Sequence, residues 1–256
     1  MEELYFNPFS LSRKKVLVTG ASSGIGRAIA ITCSKMGATV ALTGRNRQKL
    51  EETFSLMSAG MHTIICADLN VRQDIDDLVG SISNLDGIVQ CAGVGSRVLC
   101  KSITQDDLQY VFKPNVEAPI LLQTALLSQK KINRAASIVF VASRAADAPS
   151  IGNAAYSASK GAILSYAKCL ALELSPRLIR VNSICPAMVW TDLILQGGIS
   201  KEELEQAQLK YPLKRYGTPE DVAYLAVYLL SDASSWMTGS SIDLTGGRRN
   251  FNNLKV

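Results

Sequence analysis

Tyr156 and Lys160 stand four residues apart in Ala154-Ala155-Tyr156-Ser157-Ala158-Ser159-Lys160. That stretch reads as helix, and residues four apart share a helix face. A phenol, ordinarily of pKa ~10, is a poor proton-transfer group at neutral pH; a neighbouring ammonium favours its charged form. Ser143 lies thirteen residues before Tyr156, at the end of a strand-like run. Its hydroxyl can hold a carbonyl oxygen on which charge develops. The trio suits hydride transfer to a ketone, with Tyr156 donating the proton. With 8 tyrosines in 256 residues, one Tyr-x-x-x-Lys pair is unremarkable. The plain alternative is a solvated lysine over a half-buried tyrosine, so context must decide.

A second group of residues could hold an anion. Thr19-Gly20-Ala21-Ser22-Ser23-Gly24-Ile25-Gly26 joins an apolar run to a helical one. Small residues there let a phosphate approach the first N–H groups of the helix, where the dipole favours negative charge. The spacing Gly-x-x-x-Gly-x-Gly differs from Gly-x-Gly-x-x-Gly. The same residues also spell Gly-x-Ser-x-Gly, a nucleophile elbow. That chemistry needs a histidine late in the chain, and the single histidine, His62, precedes any suitable acidic partner. The esterase reading fails there.

In a dinucleotide site the end of the second strand selects the cofactor: a carboxylate for the ribose 2′-hydroxyl, an arginine for a 2′-phosphate. Here it reads Leu42-Thr43-Gly44-Arg45-Asn46-Arg47, with no carboxylate. Arg45 offers a planar fork for phosphate, so NADP(H) is expected over NAD(H). Asp68 can accept a hydrogen bond from an adenine amino group or cap the following helix.

These residues need a scaffold that gathers them. Lys14–Val18, Thr39–Thr43, His62–Cys66, Leu85–Cys91, Ser137–Val141, Arg180–Ile184 and Ser240–Leu244 read as strands, separated by helical runs such as Gly26–Met36 and Arg47–Met57. Such alternation predicts a single-domain, α/β, Rossmann-type doubly wound parallel sheet of about seven strands spanning residues 1–256. Most runs are apolar throughout, as strands covered on both faces require. Residues 1–10 read as an unstructured lead-in. Residues 188–216, with Gly197-Gly198, a short helix near Ser200–Leu209 and Pro212, read as a substrate lid at the carboxyl edge.

Composition narrows the partners. Lys and Arg number 27 against 22 Asp and Glu, and aromatics are only 6%. The basic clusters Arg13-Lys14-Lys15 and Arg45-Asn46-Arg47 are too sparse for a nucleic-acid footprint. No apolar run approaches the ~18 residues of a spanning helix, and Met1-Glu2-Glu3-Leu4-Tyr5 carries no signal pattern. Six cysteines form no Cys-x-x-Cys pair, and one histidine leaves no multi-histidine metal site. The expectation is a cytoplasmic protein without nucleic-acid, membrane or metal partners.

The chain resembles the short-chain dehydrogenase/reductase family from Lys15 to Gly247. The resemblance rests on Thr19–Gly26, on Ser143 with Tyr156 and Lys160, and on Asn115 in Lys113-Pro114-Asn115-Val116. Tyr211-Pro212-Leu213, Gly217–Ala223 and Thr238-Gly239 through Gly246-Gly247 are similar to the 3-oxoacyl-[acyl-carrier-protein] reductase branch. The resemblance implies Tyr156 as general acid/base and Lys160 as the group that favours its phenolate and binds the nicotinamide ribose. Ser143 would position the carbonyl, and Asn115 would hold a water in a proton relay. Dinucleotide contacts are implied for Gly20, Ser22, Ser23, Gly24, Ile25, Gly26, Arg45, Asp68, Leu69, Gln90, Ala92, Gly93, Pro186, Val189 and Thr191.

Departures are local. The family's Asn-Asn-Ala-Gly reads Gln90-Cys91-Ala92-Gly93, its Pro-Gly reads Pro186-Ala187, and Lys214-Arg215 replaces the branch's Gly-Arg. Ser23 stands where many NADP-using relatives carry a basic residue. The implied substrate is a small carbonyl or alcohol, a 3-oxoacyl thioester among the candidates, and the implied assembly a homotetramer. That assembly would use an outward stripe of the helix bearing Ile163, Leu164, Ala167, Leu170, Ala171 and Leu174, the next helix and the last strand. The rival is a dinucleotide-binding sensor or scaffold with little catalysis, which would need no proton donor.

Overall fold

The computed structural model describes residues 6–195 and 199–248. Strands β1 (Lys15–Thr19), β2 (Thr39–Gly44), β3 (Thr63–Cys66), β4 (Leu85–Gln90), β5 (Ile132–Val141), β6 (Arg180–Pro186) and β7 (Ser241–Leu244) form one sheet in the order β3-β2-β1-β4-β5-β6-β7. Every neighbouring pair is parallel. All carboxyl ends therefore lie on one edge, and strand order reverses between β1 and β4, where ligands of such sheets bind.

Helices cover both faces. Alternate residues of β1 show why: Leu17 packs with α3 (Arg72–Ser81), α5 (Ala118–Ser128) and α6 (Ala154–Leu174), whereas Val16 and Val18 pack with α1 (Gly24–Lys35) and α9 (Pro219–Leu230). Leu17 and Val18 are fully buried, each worth roughly 1.5–3 kcal/mol of apolar burial. The second helix, α2 (Arg47–Ser55), is capped by Asn46, whose Oδ1 accepts from Lys49 N. Helix α4 (Gln105–Phe112) continues into a π-helical segment, Lys113–Glu117, before α5. Pro114 has no N–H to donate to a carbonyl four residues back, so the regular ladder cannot run through it.

The expected strands are all present, with shifted ends. β4 stops at Gln90 because the next amide, Cys91 N, turns to Thr19 Oγ1. β5 begins five residues early, at Ile132, through an irregular stretch in which Ala135 has φ +59° and the register to β4 shifts.

Of the expected lead-in, residues 1–5 lie outside the described residues, and the remainder is held. Ala233 N donates to Pro8 O at 2.9 Å, Leu11 N donates to Met36 O at 2.9 Å, and Leu11 is fully buried. Those contacts replace an unstructured lead-in with a strap across the end of α9.

The 188–216 segment carries α7 (Asp192–Leu195) and α8 (Lys201–Gln208); Gly197-Gly198 lies outside the described residues. Its base is stitched by a Val189–Gly217 bridge and packed by Leu204, Tyr211, Tyr216 and Trp190. Among the described residues no helix is long and apolar enough to cross a membrane.

Candidate active site

Two glycines shape the loop after β1. Gly20 has φ +67°, and a Cβ on it would meet Ala92 Cα at 2.9 Å. A Cβ on Gly26 would lie 2.2 Å from Gly20 O. The loop is braced from behind: Arg27 donates to Ser22 O at 2.8 Å and to Thr53 Oγ1 at 3.0 Å, while pairing with Glu52 at 3.0 Å. Thr53 Oγ1 in turn donates to Ala21 O at 2.9 Å.

The helix that follows is open to an anion. Ser23 is its N-cap, makes no side-chain cap hydrogen bond, and no acidic residue lies in the first turn. By contrast α2, α4, α8 and α9 are capped by Asn46, Thr104, Ser200 and Thr218. Free N–H groups behind glycines without Cβ atoms fit a pyrophosphate. Ser22, Ser23 and Ile25 are half-buried along this loop. Thr191 arrives from the β6 side, its Cγ2 3.3 Å from where a side chain on Gly24 would begin.

Arg45 is exposed just past β2, and its carbonyl accepts from Cys66 Sγ at 3.3 Å. Arg47 is paired with Glu51 at 3.5 Å. Asp68 caps no helix: its Oδ1 accepts from Asn70 N, and α3 starts after Val71. Leu69 is turned into the core, leaving only its backbone toward the edge. Pro186 closes β6, and Val189 is buried in the bridge to Gly217.

The proton-transfer residues converge on the neighbouring strand ends. Ser143 follows β5 and starts a 3₁₀ turn, Arg144–Ala146; its Oγ accepts from Ala145 N at 3.1 Å. With an acceptor position filled by the backbone, the Ser143 hydroxyl proton is left to donate outward. Tyr156 and Lys160 occupy the first two turns of α6, with Lys160 Nζ 5.8 Å from the Tyr156 ring centre. Lys160 is buried and donates to Val141 O at 3.0 Å.

Asn115 lies buried in the π-helical segment rather than in a regular helix. Its Oδ1 accepts from Val94 N at 2.8 Å, and its Nδ2 donates to Val94 O and to Ser159 Oγ, at 3.0 and 3.1 Å. Ser159 Oγ donates to Tyr156 O at 2.7 Å. A Cβ on Gly93 would lie 2.8 Å from Asn115 Oδ1 and 3.6 Å from Lys160 Nζ, so these groups crowd one point.

Ala92 N and Cys91 N both donate to Thr19 Oγ1, at 3.0 and 2.9 Å, which staples the β4 exit to the phosphate loop. Burial pushes the Cys91 thiol up to about 12, against the lowering effect of the Lys160 charge, so it stays protonated. Gln90 points inward, donating to Pro119 O at 3.4 Å, so its side chain does not reach the cleft.

Three participants escape the sequence reading: Thr19, Arg27 and Ser159. Each lies inside or beside a motif already singled out, but its partner is distant in sequence.

Residues 20–249 match a family model described as Enoyl-(Acyl carrier protein) reductase. The chain is 32% identical over 237 residues to 3-oxoacyl-[acyl-carrier-protein] reductase FabG of Rickettsia prowazekii (strain Madrid E), covering 93% of this chain and 97% of that one. Among solved structures it is similar to a candidate NAD(P) dependent gluconate 5-dehydrogenase from Beutenbergia cavernae with NADP bound at low occupancy. That match has 30% identity, TM-score 0.84 and coverage of 94% and 98% of the two chains. It is also similar to 3-ketoacyl-(acyl-carrier-protein) reductase from Brucella melitensis complexed with NADH, at 28% identity, TM-score 0.83 and coverage of 94% and 100%.

Proposed function

The chain belongs to the short-chain dehydrogenase/reductase family and is an oxidoreductase acting on CH–OH groups; we propose that it is an NADP-dependent enzyme interconverting a secondary alcohol and a ketone. Gly20 through Gly26 would hold the pyrophosphate at the uncapped end of α1, and Arg45 the 2′-phosphate. When bound, the dinucleotide supplies the hydride for reduction or accepts it in oxidation.

The chain's own residues handle the oxygen and its proton. The Ser143 hydroxyl donates to the substrate carbonyl oxygen while Tyr156 Oη gives that oxygen its proton as carbon gains the hydride. The products are the alcohol and a tyrosinate, which regains its proton from solvent. Lys160, anchored on Val141 O, holds a positive charge beside the tyrosinate. Asn115 and Ser159 tie the β4 exit loop to the backbone of Tyr156, fixing the phenol against the cleft. In the oxidative direction every transfer reverses. The observation that carries this reading is the convergence of Ser143, Tyr156, Lys160 and Asn115 on one sheet edge, beside an uncapped helix N-terminus.

The substrate class we favour is a 3-oxoacyl thioester, supported by the likeness to the Rickettsia reductase; the likeness to the gluconate enzyme supports a sugar acid or related polyhydroxy ketone instead. NADPH consumption with a panel of β-keto thioesters, ketoses and cyclic ketones separates the two. Turnover of no carbonyl would overturn the reading in favour of a sensor. We further read the protein as a cytoplasmic homotetramer. Exposed Tyr110, Leu121 and Leu172 on α4–α6 offer one interface, and Trp236 beside the edge strand β7 another. The 188–216 segment, lying over the carboxyl edge after β6, would close on substrate as a lid.

A further inference from the structure

Arg144 directly follows Ser143, and among the described residues its guanidinium pairs with Asp147 and Asp243. Nη1 lies 3.0 Å from Asp147 Oδ2 and 3.3 Å from Asp243 Oδ2. Asp147 is local, three residues on. Asp243 belongs to β7, two strands away, and stands in register with Cys185 of β6. The Arg144 side chain therefore spans β6 to reach the sheet edge.

The arginine is covered, whereas the Asp147 and Asp243 side chains are 58% and 46% exposed. Only 16% of the Arg144 side chain is exposed, against 65% for Arg47 and 58% for Arg72 in their helix-surface pairs. Exposed pairs of that kind contribute little, because solvent screens them and side-chain entropy opposes them. Beneath the loop, Ala142, Leu164 and Cys185 form a small apolar cluster with Ala146 packed against it.

The far end of the pair is itself anchored. Ala187 N donates to Leu244 O at 3.0 Å, and Leu213 N to Gly246 O at 3.3 Å. Asp243 thus sits on the strand that also receives the β6 exit loop, just before the turn at Gly246 that receives Leu213. Upstream, Ala142 N donates to Ile184 O of β6 at 2.9 Å; from Ser143 onward the turn rests on short-range bonds: Ala145 N to the Ser143 Oγ, Ala146 N to its carbonyl, and Ala148 N to Arg144 O.

We propose that Arg144 and Asp243 form a positioning clamp that fixes the Ser143 hydroxyl relative to Tyr156, by tying the turn that carries it to β7. Neither residue touches the reacting atoms; they act through the backbone of Ser143. The inference rests on the carbonyl–alcohol chemistry proposed above.

Asp243→Asn, Asp243→Glu and Asp147→Asn would be compared with wild type on the best ketone of the panel. Small displacements of a positioning group cost large factors in rate, so Asp243→Asn should lower kcat by at least about fivefold. Its KM for NADPH should stay within about twofold, because the dinucleotide-binding loops are untouched. Asp243→Glu keeps the ion pair and should recover most of the loss.

Hydrogen exchange at the Ala145, Ala146 and Ala148 amides should quicken in Asp243→Asn while α6 stays protected. Wild-type kcat in Asp243→Asn, an equal loss in Asp243→Glu, or a loss confined to Asp147→Asn would each overturn the clamp while leaving the enzymatic reading intact. A wild type inactive on every carbonyl overturns that reading and the clamp's catalytic role together. Unchanged exchange at the three alanines would remove the clamp's structural basis as well.

Discussion

Replacing the Tyr156 phenol with a phenyl ring removes one oxygen and almost nothing else. The ring is half-buried, and Ser159 bonds its backbone rather than its hydroxyl. Tyr156→Phe should therefore lower kcat by at least ~10² while NADPH affinity, read by fluorescence titration, barely changes. Near-wild-type turnover would mean another group supplies the proton. Arg45 tests the cofactor in the same way. A bidentate contact from its exposed guanidinium to a 2′-phosphate is worth roughly 1.5–3 kcal/mol, so kcat/KM should favour NADPH over NADH by at least about tenfold. Arg45→Asp should reverse the order, chiefly through KM, because the phosphate is remote from the hydride. Equal use of both cofactors by wild type would show the arginine to be a solvated loop residue.

Among elements, the join between β1 and β4 matters most. Thr19 Oγ1 accepts two backbone amides from the β4 exit, and Thr19→Val leaves both without that acceptor. The variant should lose at least about 1 kcal/mol in urea unfolding and also bind NADPH more weakly, since Gly20 follows directly. Unchanged affinity would mean the staple serves stability alone. The strands were legible because parallel, doubly covered β-structure demands unbroken apolar runs such as Val16-Leu17-Val18. Ser143, Tyr156 and Lys160 were legible because strand ends and helix spacing are local properties. The Thr19 and Ser159 hydroxyls were not, since a threonine or serine reads the same whether its partner is water or an amide 72 residues away. The outward apolar stripe expected on α6 is also corrected. Ile163, Leu164, Ala167, Leu170, Ala171 and Leu174 are all buried within the chain, because α6 is covered by the sheet, the β6 side and α4 together. Only Leu172 remains as a large exposed apolar side chain on that helix.

At the scale of the whole molecule, the exposed apolar residues predict assembly. Trp236 is 99% exposed beside β7, an edge strand whose outer backbone groups have no neighbour within the described sheet. Light scattering at micromolar concentration should report a tetramer, and Trp236→Glu should reduce it to a smaller species without unfolding the subunit. A monomeric wild type would refute this. The central pairing of β1 with β4 also carries a kinetic consequence. Lys15 N meets Asp86 Oδ2 across a separation of 71 residues, and the intervening β2 and β3 must be laid down on the far side of β1. Chain entropy is lost before any of those distant contacts rewards it, so barrier crossing is slow compared with the coiling of the helices. After dilution from denaturant, far-ultraviolet ellipticity should return well before NADPH binding does. During that interval the half-made sheet presents unpaired parallel edges, which makes dilute, cool refolding the condition under which monomeric chains escape aggregation.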